Sequence, residues 1–233
     1  MDLSNTFFWT FVYDFIRGPL VWIAFIVFFG GTLFQIFRLL ALTKEQTISK
    51  LTPGPGRFIP KRADGEDKKN WVMWLKLSIA GVNPFMTIVS TIFHVLLIGM
   101  PIFVLGHNIL LDNAFGVSII SLSESVSDFL TIVVIVCAGI FLYRRLFLDR
   151  VKAITTWADY LFLFLAAAPF ITGFFAYHQV FENYKLIISL HIISGELMLM
   201  AVPFTKFVHM IYLVIIRFTV KSEYSLGKGN RTW

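Results

Sequence analysis

Of the five histidines in this 233-residue chain, His94, His107, His191 and His209 lie in strongly apolar stretches. His191 and His209 belong to LHIISGELMLMAVPFTKFVH, Leu190 to His209. On a straight helix a separation of 18 residues is five whole turns, so both imidazoles take one face, roughly 27 Å apart. That distance is close to the thickness of a bilayer's hydrocarbon core. A helix with one histidine near each membrane surface, both facing the same way, could hold two metal-centred groups stacked across the membrane. The plainer alternative is two unrelated polar residues near helix ends, and the rest of the chain bears on the choice.

The composition sets the class. The chain is 57% hydrophobic and 15% charged, with mean hydropathy +0.76. A soluble domain is nearer half apolar and a quarter charged. Several apolar runs of about 20 residues predict an all-α integral membrane protein with five transmembrane helices. The N-terminus lacks a basic region and an A-x-A site, so no cleavable signal peptide is expected. The single cysteine, Cys137, excludes an intrachain disulfide, a Cys-ligated iron–sulfur cluster and a C-x-x-C-H haem site. Packing accounts for it. A pI near 9.5 raises nucleic acid as a partner, but in a membrane protein the placement of charge says more than its total. No nucleic-acid partner is expected.

Residues 1–17 alternate polar and aromatic positions and suit a short interfacial amphipathic helix ahead of the first span. The five spans are expected at about 19–42, 82–111, 126–148, 157–177 and 186–218. They form a single membrane domain, with a Pro/Gly-rich, charged cytoplasmic loop at 43–76. With the N-terminus outside and the C-terminus cytoplasmic, 18 of the 20 basic residues fall inside, leaving only Arg17 and Lys185 outside. That is a strong positive-inside pattern. It predicts a multi-pass protein of a bacterial or archaeal cytoplasmic membrane.

This topology sorts the histidines by depth. The second span runs outward, placing His94 inner and His107 outer. The fifth runs inward, placing His191 outer and His209 inner. Two cross-pairs result, His94 with His209 and His107 with His191. Two bis-histidine pairs between antiparallel helices suit two stacked b-type haems, each iron taking one imidazole from either side of the porphyrin. Four histidines buried in lipid otherwise demand a functional reason. One point resists. His94 and His107 are 13 residues apart, about 220° of rotation on a straight helix. Pro101, flanked by Gly99 and Gly106, is expected to kink or unwind the helix and realign them.

Three segments carry a family resemblance: IFHVLLIGMPIFVLGH (Ile92 to His107), YRRLFLDRVKAITTWADYLFL (Tyr143 to Leu163) and LHIISGELMLMAVPFTKFVH. From the second span onward the chain resembles the respiratory nitrate reductase gamma subunit, a membrane-anchoring dihaem cytochrome b. The resemblance implies an inner haem held by His94 and His209 and an outer haem held by His107 and His191. It also implies a quinol site near the outer haem. The spacing from His94 to His107 is about one turn longer than in that family, and the outer loop lacks its quinol-site lysine. The first span, RGPLVWIAFIVFFGG, is similar to the cytochrome b subunits of sulfate-reducer transmembrane electron-transfer complexes. These similarities imply cytoplasmic iron–sulfur partners, heterodisulfide-reductase-like or nitrate-reductase-like, and often a periplasmic multihaem cytochrome c.

Other residues have weaker claims. Gly106, His107 and His178 are candidates for a menaquinone site, with His178 otherwise an interfacial polar residue. Glu196 is a candidate for a proton path or a helix–helix hydrogen bond. Lys206, Arg144 and Arg145 are candidates for the haem propionates; snorkelling and topology are their plainer roles. Asp159 suits the positive N-terminal end of the fourth helix. The expected function is an electron-transfer subunit of a quinone-linked oxidoreductase, bathed in membrane lipid. The alternatives are a nitrate reductase gamma subunit proper, a ferric-reductase or ascorbate-linked cytochrome b, and a haem-free transporter with membrane-embedded histidines. Similar, shorter spacings on both haem helices would favour the second alternative, and broken helices with scattered charges the last.

Overall fold

The computed structural model describes residues 10–42 and 83–219, and these are helical with no strand among them. Five helices are long and apolar enough to cross a membrane: Thr10–Leu42, Pro84–Phe103, Glu124–Phe147, Trp157–Tyr177 and Tyr184–Ala201. We label the helices in chain order: α1 (Thr10–Leu42), α2 (Pro84–Phe103), α3 (Leu105–Phe115), α4 (Glu124–Phe147), the single turn α5 (Asp149–Lys152), α6 (Trp157–Tyr177), α7 (Tyr184–Ala201) and α8 (His209–Thr219). The expected 43–76 loop and residues 1–9 of the expected interfacial helix lie outside the described residues. Residues 10–17 of that helix are not a separate element. They run into the first span through a π-helical stretch, Ile16–Leu20.

Local sequence explains where the helices start and stop. Pro84 opens α2 behind Asn83, whose side chain accepts from Met86 N at 3.3 Å, the favoured arrangement at a helix start. Asp159 Oδ2 accepts from Thr156 N (2.9 Å) and lies 2.8 Å from Thr156 Oγ1, closing the start of α6 as a capping pair does. Asn183 caps α7 through Leu186 N at 3.2 Å. Gly116 ends α3 at φ +66°, a left-handed position that glycine adopts at little cost.

The helices pack in the order α2, α4, α6, α7, α1. The core uses one face of α2, Val89, Phe93, Leu97 and Met100, spaced as helical neighbours are. It meets Val134, Cys137 and Ala138 of α4 and Ala166, Ala167 and Phe170 of α6. The alanines let these helices approach closely. The outward faces are apolar: Phe25, Ile26, Phe29, Leu33, Phe34 and Phe37 of α1 are all exposed. Such a surface is suited to lipid and is too large a patch for water.

Two spans are broken, the second where Pro101 led us to expect it and the fifth where a straight helix was expected. The second breaks at Val104, which takes an extended conformation (φ −70°, ψ 131°) between α2 and α3. The fifth breaks between Ala201 and His209, at Pro203, before resuming as α8. The five-turn register between His191 and His209 therefore does not describe a single helix. Proline removes a helical N–H and clashes with the preceding turn; Pro101 precedes the first break and Pro203 lies within the second.

A candidate bis-histidine site between two broken helices

The two cross-paired sets of histidines come together. The rings of His94, on α2, and His209, the first residue of α8, have centroids 5.7 Å apart and planes at 85°. The rings of His107, on α3, and His191, on α7, have centroids 6.0 Å apart and planes at 17°. Neither α2 with α8 nor α3 with α7 is among the pairs in close backbone packing, so the imidazoles of each pair meet across a gap.

Each imidazole is held by the same device. Nδ1 of His94 lies 2.7 Å from the carbonyl of Ser90, and Nδ1 of His107 lies 2.8 Å from that of Pro101. Nδ1 of His191 lies 2.9 Å from the carbonyl of Pro169 on α6, and Nδ1 of His209 lies 2.6 Å from that of Lys206. A carbonyl can only accept, so Nδ1 carries the proton in all four. The lone pair is then on Nε2. This is the arrangement that fixes tautomer and ring orientation in metal-ligating histidines.

The breaks supply two of these acceptors, the carbonyls of Pro101 and Lys206. Beyond Val104 the carbonyls of Pro101, Ile102 and Phe103 lose their helical partners. His107 Nδ1 takes the first. Asn108 Nδ2 takes the second at 3.2 Å, and Leu122 N takes the third at 2.9 Å. Asn108 is buried, and its Oδ1 accepts Ile119 N at 3.1 Å. Every freed carbonyl is thus satisfied, as backbone away from water requires. The break also removes the straight-helix rotation that would have turned His107 away from the face of His94.

Around His191, α6 fits closely. A methyl added at Gly173 would stand 2.9 Å from Cε1 and 3.1 Å from Nδ1 of the imidazole. Thr172 Oγ1 and Ser194 Oγ lie 3.2 Å apart beside it. Near the other pair, a cavity of about 450 Å3 is lined by Ser90, Phe141, Arg144, Arg145, Asp159 and Lys206. Two of these, Ser90 and Lys206, provide the carbonyls that hold His94 and His209. Lys206 Nζ is paired with Asp159 Oδ1 at 2.6 Å, so its ammonium is shared with a carboxylate. Arg145 donates to Phe141 O at 3.2 Å.

The remaining candidates sit as follows. His178 is exposed at the end of α6, with Nε2 2.8 Å from Asp128 Oδ1 on α4. It is the one histidine whose Nε2 is already engaged. Nearby, Tyr177 donates to Glu124 Oε2 at 3.1 Å. A methyl added at Gly106 would meet nothing within 4 Å. Glu196 is 5% exposed and neither carboxyl oxygen has a hydrogen-bond partner.

The donor set fits a haem iron. With metal–imidazole bonds of about 2.0–2.1 Å, two imidazoles on opposite sides of one metal have centroids about 6 Å apart, close to both observed values. Among the described residues no three His, Cys, Asp or Glu side chains converge on a common point. Pairs of imidazoles suit a metal whose other ligands come from a macrocycle. Sequence reasoning missed Pro169, Gly173, Asn108 and Ser90, whose types carry no metal-binding signal. Only the partner they touch reveals them.

No family model matches the chain, and no solved structure matches it. A curated protein of Nitratidesulfovibrio vulgaris Hildenborough is 31% identical over 221 residues, covering 95% of this chain and 97% of the relative, and its name specifies no activity.

Proposed function

This chain belongs to the same family as that Nitratidesulfovibrio vulgaris protein, and we propose that it is a dihaem cytochrome b subunit that carries electrons across a membrane. One observation carries the reading. Four histidines form two facing pairs, and every Nδ1 is tied to a backbone carbonyl so that every Nε2 is free. In this reading the chain crosses the bacterial or archaeal cytoplasmic membrane five times, N-terminus outside, and the His94/His209 pair is the inner one.

Bound haem supplies the one-electron redox couple; the protein supplies ligands, burial and orientation. His94 and His209 hold the inner group, and His107 and His191 the outer one. Ser90, Pro101, Pro169 and Lys206 aim the rings through their carbonyls. Arg144 and Arg145, on the cavity beside the inner pair, offer cationic partners to propionates, and Lys206 does so while sharing its charge with Asp159. The open side of Gly106 leaves room for a flat menaquinone ring at the outer pair, with Nδ1 of His178 as an acceptor for the hydroxyl of the quinol form. Glu196 is the buried carboxyl placed to handle a proton. Electrons pass to or from cytoplasmic iron–sulfur subunits, with a periplasmic multihaem cytochrome c as the other exchange partner.

The test is haem content. A pyridine haemochrome assay on the purified protein should give two haems b per chain. No haem, or one, would sink the reading. Broken helices also occur in transporters, but two imidazole pairs with ring centroids 5.7 and 6.0 Å apart favour a shared metal over a solute path.

A further inference from the structure

We propose that Gln35, on the first span, is a positioning residue for the His94/His209 pair, bracing the broken segment from which His209 emerges. The proposal rests on the dihaem reading above. From Val21 to Phe37 the first span is almost wholly apolar, and its only uncharged hydrogen-bonding side chains besides the Trp22 indole are Thr32 and Gln35. A polar side chain at that depth is costly unless it has partners. Gln35 has two, and they lie on either side of His209. Its Nε2 donates to Pro203 O at 2.7 Å, and its Oε1 accepts from Tyr212 OH at 2.7 Å.

The geometry around it is tight. Gln35 is 7% exposed. One turn earlier, the Cα of Gly31 meets the Pro203 ring so closely that an added methyl would stand 2.7 Å from Pro203 Cγ. Pro203 itself is fully buried. Its carbonyl has left the helical ladder at the break, and the glutamine amide replaces the missing donor. Tyr212 lies one turn into α8 from His209, so its hydroxyl fixes the start of that helix against α1. On the opposite side, Lys206 is held to Asp159 of α6. His209 therefore stands on a short segment clamped from two helices, and the α1 clamp touches no residue of the His107/His191 pair.

The separation of the two pairs makes the role measurable. First, the wild type is assayed for haem, and His209→Ala identifies which low-spin ferric signal and midpoint potential belong to its pair. Then Gln35→Leu and Tyr212→Phe are compared by redox titration and electron paramagnetic resonance. Gln35→Leu should shift the potential and signal of the His209 haem, or lower the haem ratio from two toward one, while the other haem keeps both. Tyr212→Phe, which removes one hydroxyl and leaves the Pro203 contact, should move the same haem by less. If Gln35→Leu does not accumulate, Tyr212→Phe alone decides. Two unchanged haems, or equal disturbance of both, overturn the proposal. A wild type with no haem overturns the reading of the site itself, and this inference with it.

Discussion

The imidazole planes of His107 and His191 stand 17° from parallel. Those of His94 and His209 are nearly perpendicular, at 85°. Each ring's angle is set by its own carbonyl partner, so the difference is built into the backbone. Axial imidazoles donate through their π-systems into the metal orbitals. Parallel rings split two of those orbitals, whereas perpendicular rings leave them close in energy. The oxidised protein should therefore show two distinct low-spin signals in electron paramagnetic resonance, a rhombic one from the His107 pair and a highly anisotropic one from the His94 pair. Two signals of the same rhombicity would contradict these ring orientations.

Ligand replacement tests the pairing directly. His191→Ala should remove the rhombic signal and leave the anisotropic one, because the two pairs share no side chain. His209→Ala should do the reverse. Each variant should retain about one haem b per chain. Loss of both haems from either protein would show that the pairs are not independent sites.

The backbone of α6 is predicted to matter as much as a ligand. Gly173 leaves room for the His191 ring, and a side chain there would meet it within 3.1 Å. Gly173→Val should displace the imidazole and lose the outer haem, with the inner haem retained. Gly195, one turn along α7 from His191, has no neighbour within 4 Å of an added methyl. Gly195→Ala should leave both haems in place. Absorbance spectra and haem-to-protein ratios of the two variants make the comparison. A Gly173→Val protein with two intact haems would show that the contact does not constrain the ring.

How far the site was legible follows from what each residue signals alone. Apolar runs show the five long helices because a helix able to cross a bilayer needs about 20 mostly apolar residues. The depth argument gives the cross-pairs, and the structure brings those same residues together. Pro101 signalled a break, while Pro203 was read only as part of a straight helix. The register of 18 residues made a continuous helix attractive, and the Gln35 brace that stabilises the break lies 168 residues away in sequence. Pro169, Gly173 and Asn108 act through backbone carbonyls and empty space. Such roles depend on the neighbouring helix and leave no local pattern.

Glu196 presents a stability question with a kinetic answer. A buried polar group without a partner costs about 1–3 kcal/mol, and both of its oxygens lack one. Glu196→Leu should raise the thermal midpoint in detergent. If the carboxyl handles a proton during quinol oxidation, the same change should slow haem reduction by quinol, with general acid–base roles worth roughly 10²–10⁴-fold. A stabilised variant reduced at the wild-type rate would remove Glu196 from the proton path.

His178 decides how the quinone reading stands. Its Nε2 faces Asp128, so a quinol hydroxyl would have to be met by Nδ1. A carboxylate can only accept, so Nε2 carries the proton and Nδ1 offers its lone pair. Asp128→Asn should loosen that arrangement, and His178→Ala should remove the acceptor. Both changes should slow reduction of the haems by a menaquinol analogue, His178→Ala the more. Dithionite, which needs no quinone site, should reduce both variants as it does the wild type. A hydroxyquinoline N-oxide inhibitor should perturb the spectrum of the His107/His191 haem more than that of the other. Reduction of both variants by quinol at the wild-type rate would exclude His178 from the site. Failure of quinol to reduce even the wild type would leave the protein as a relay between partners on the two sides of the membrane.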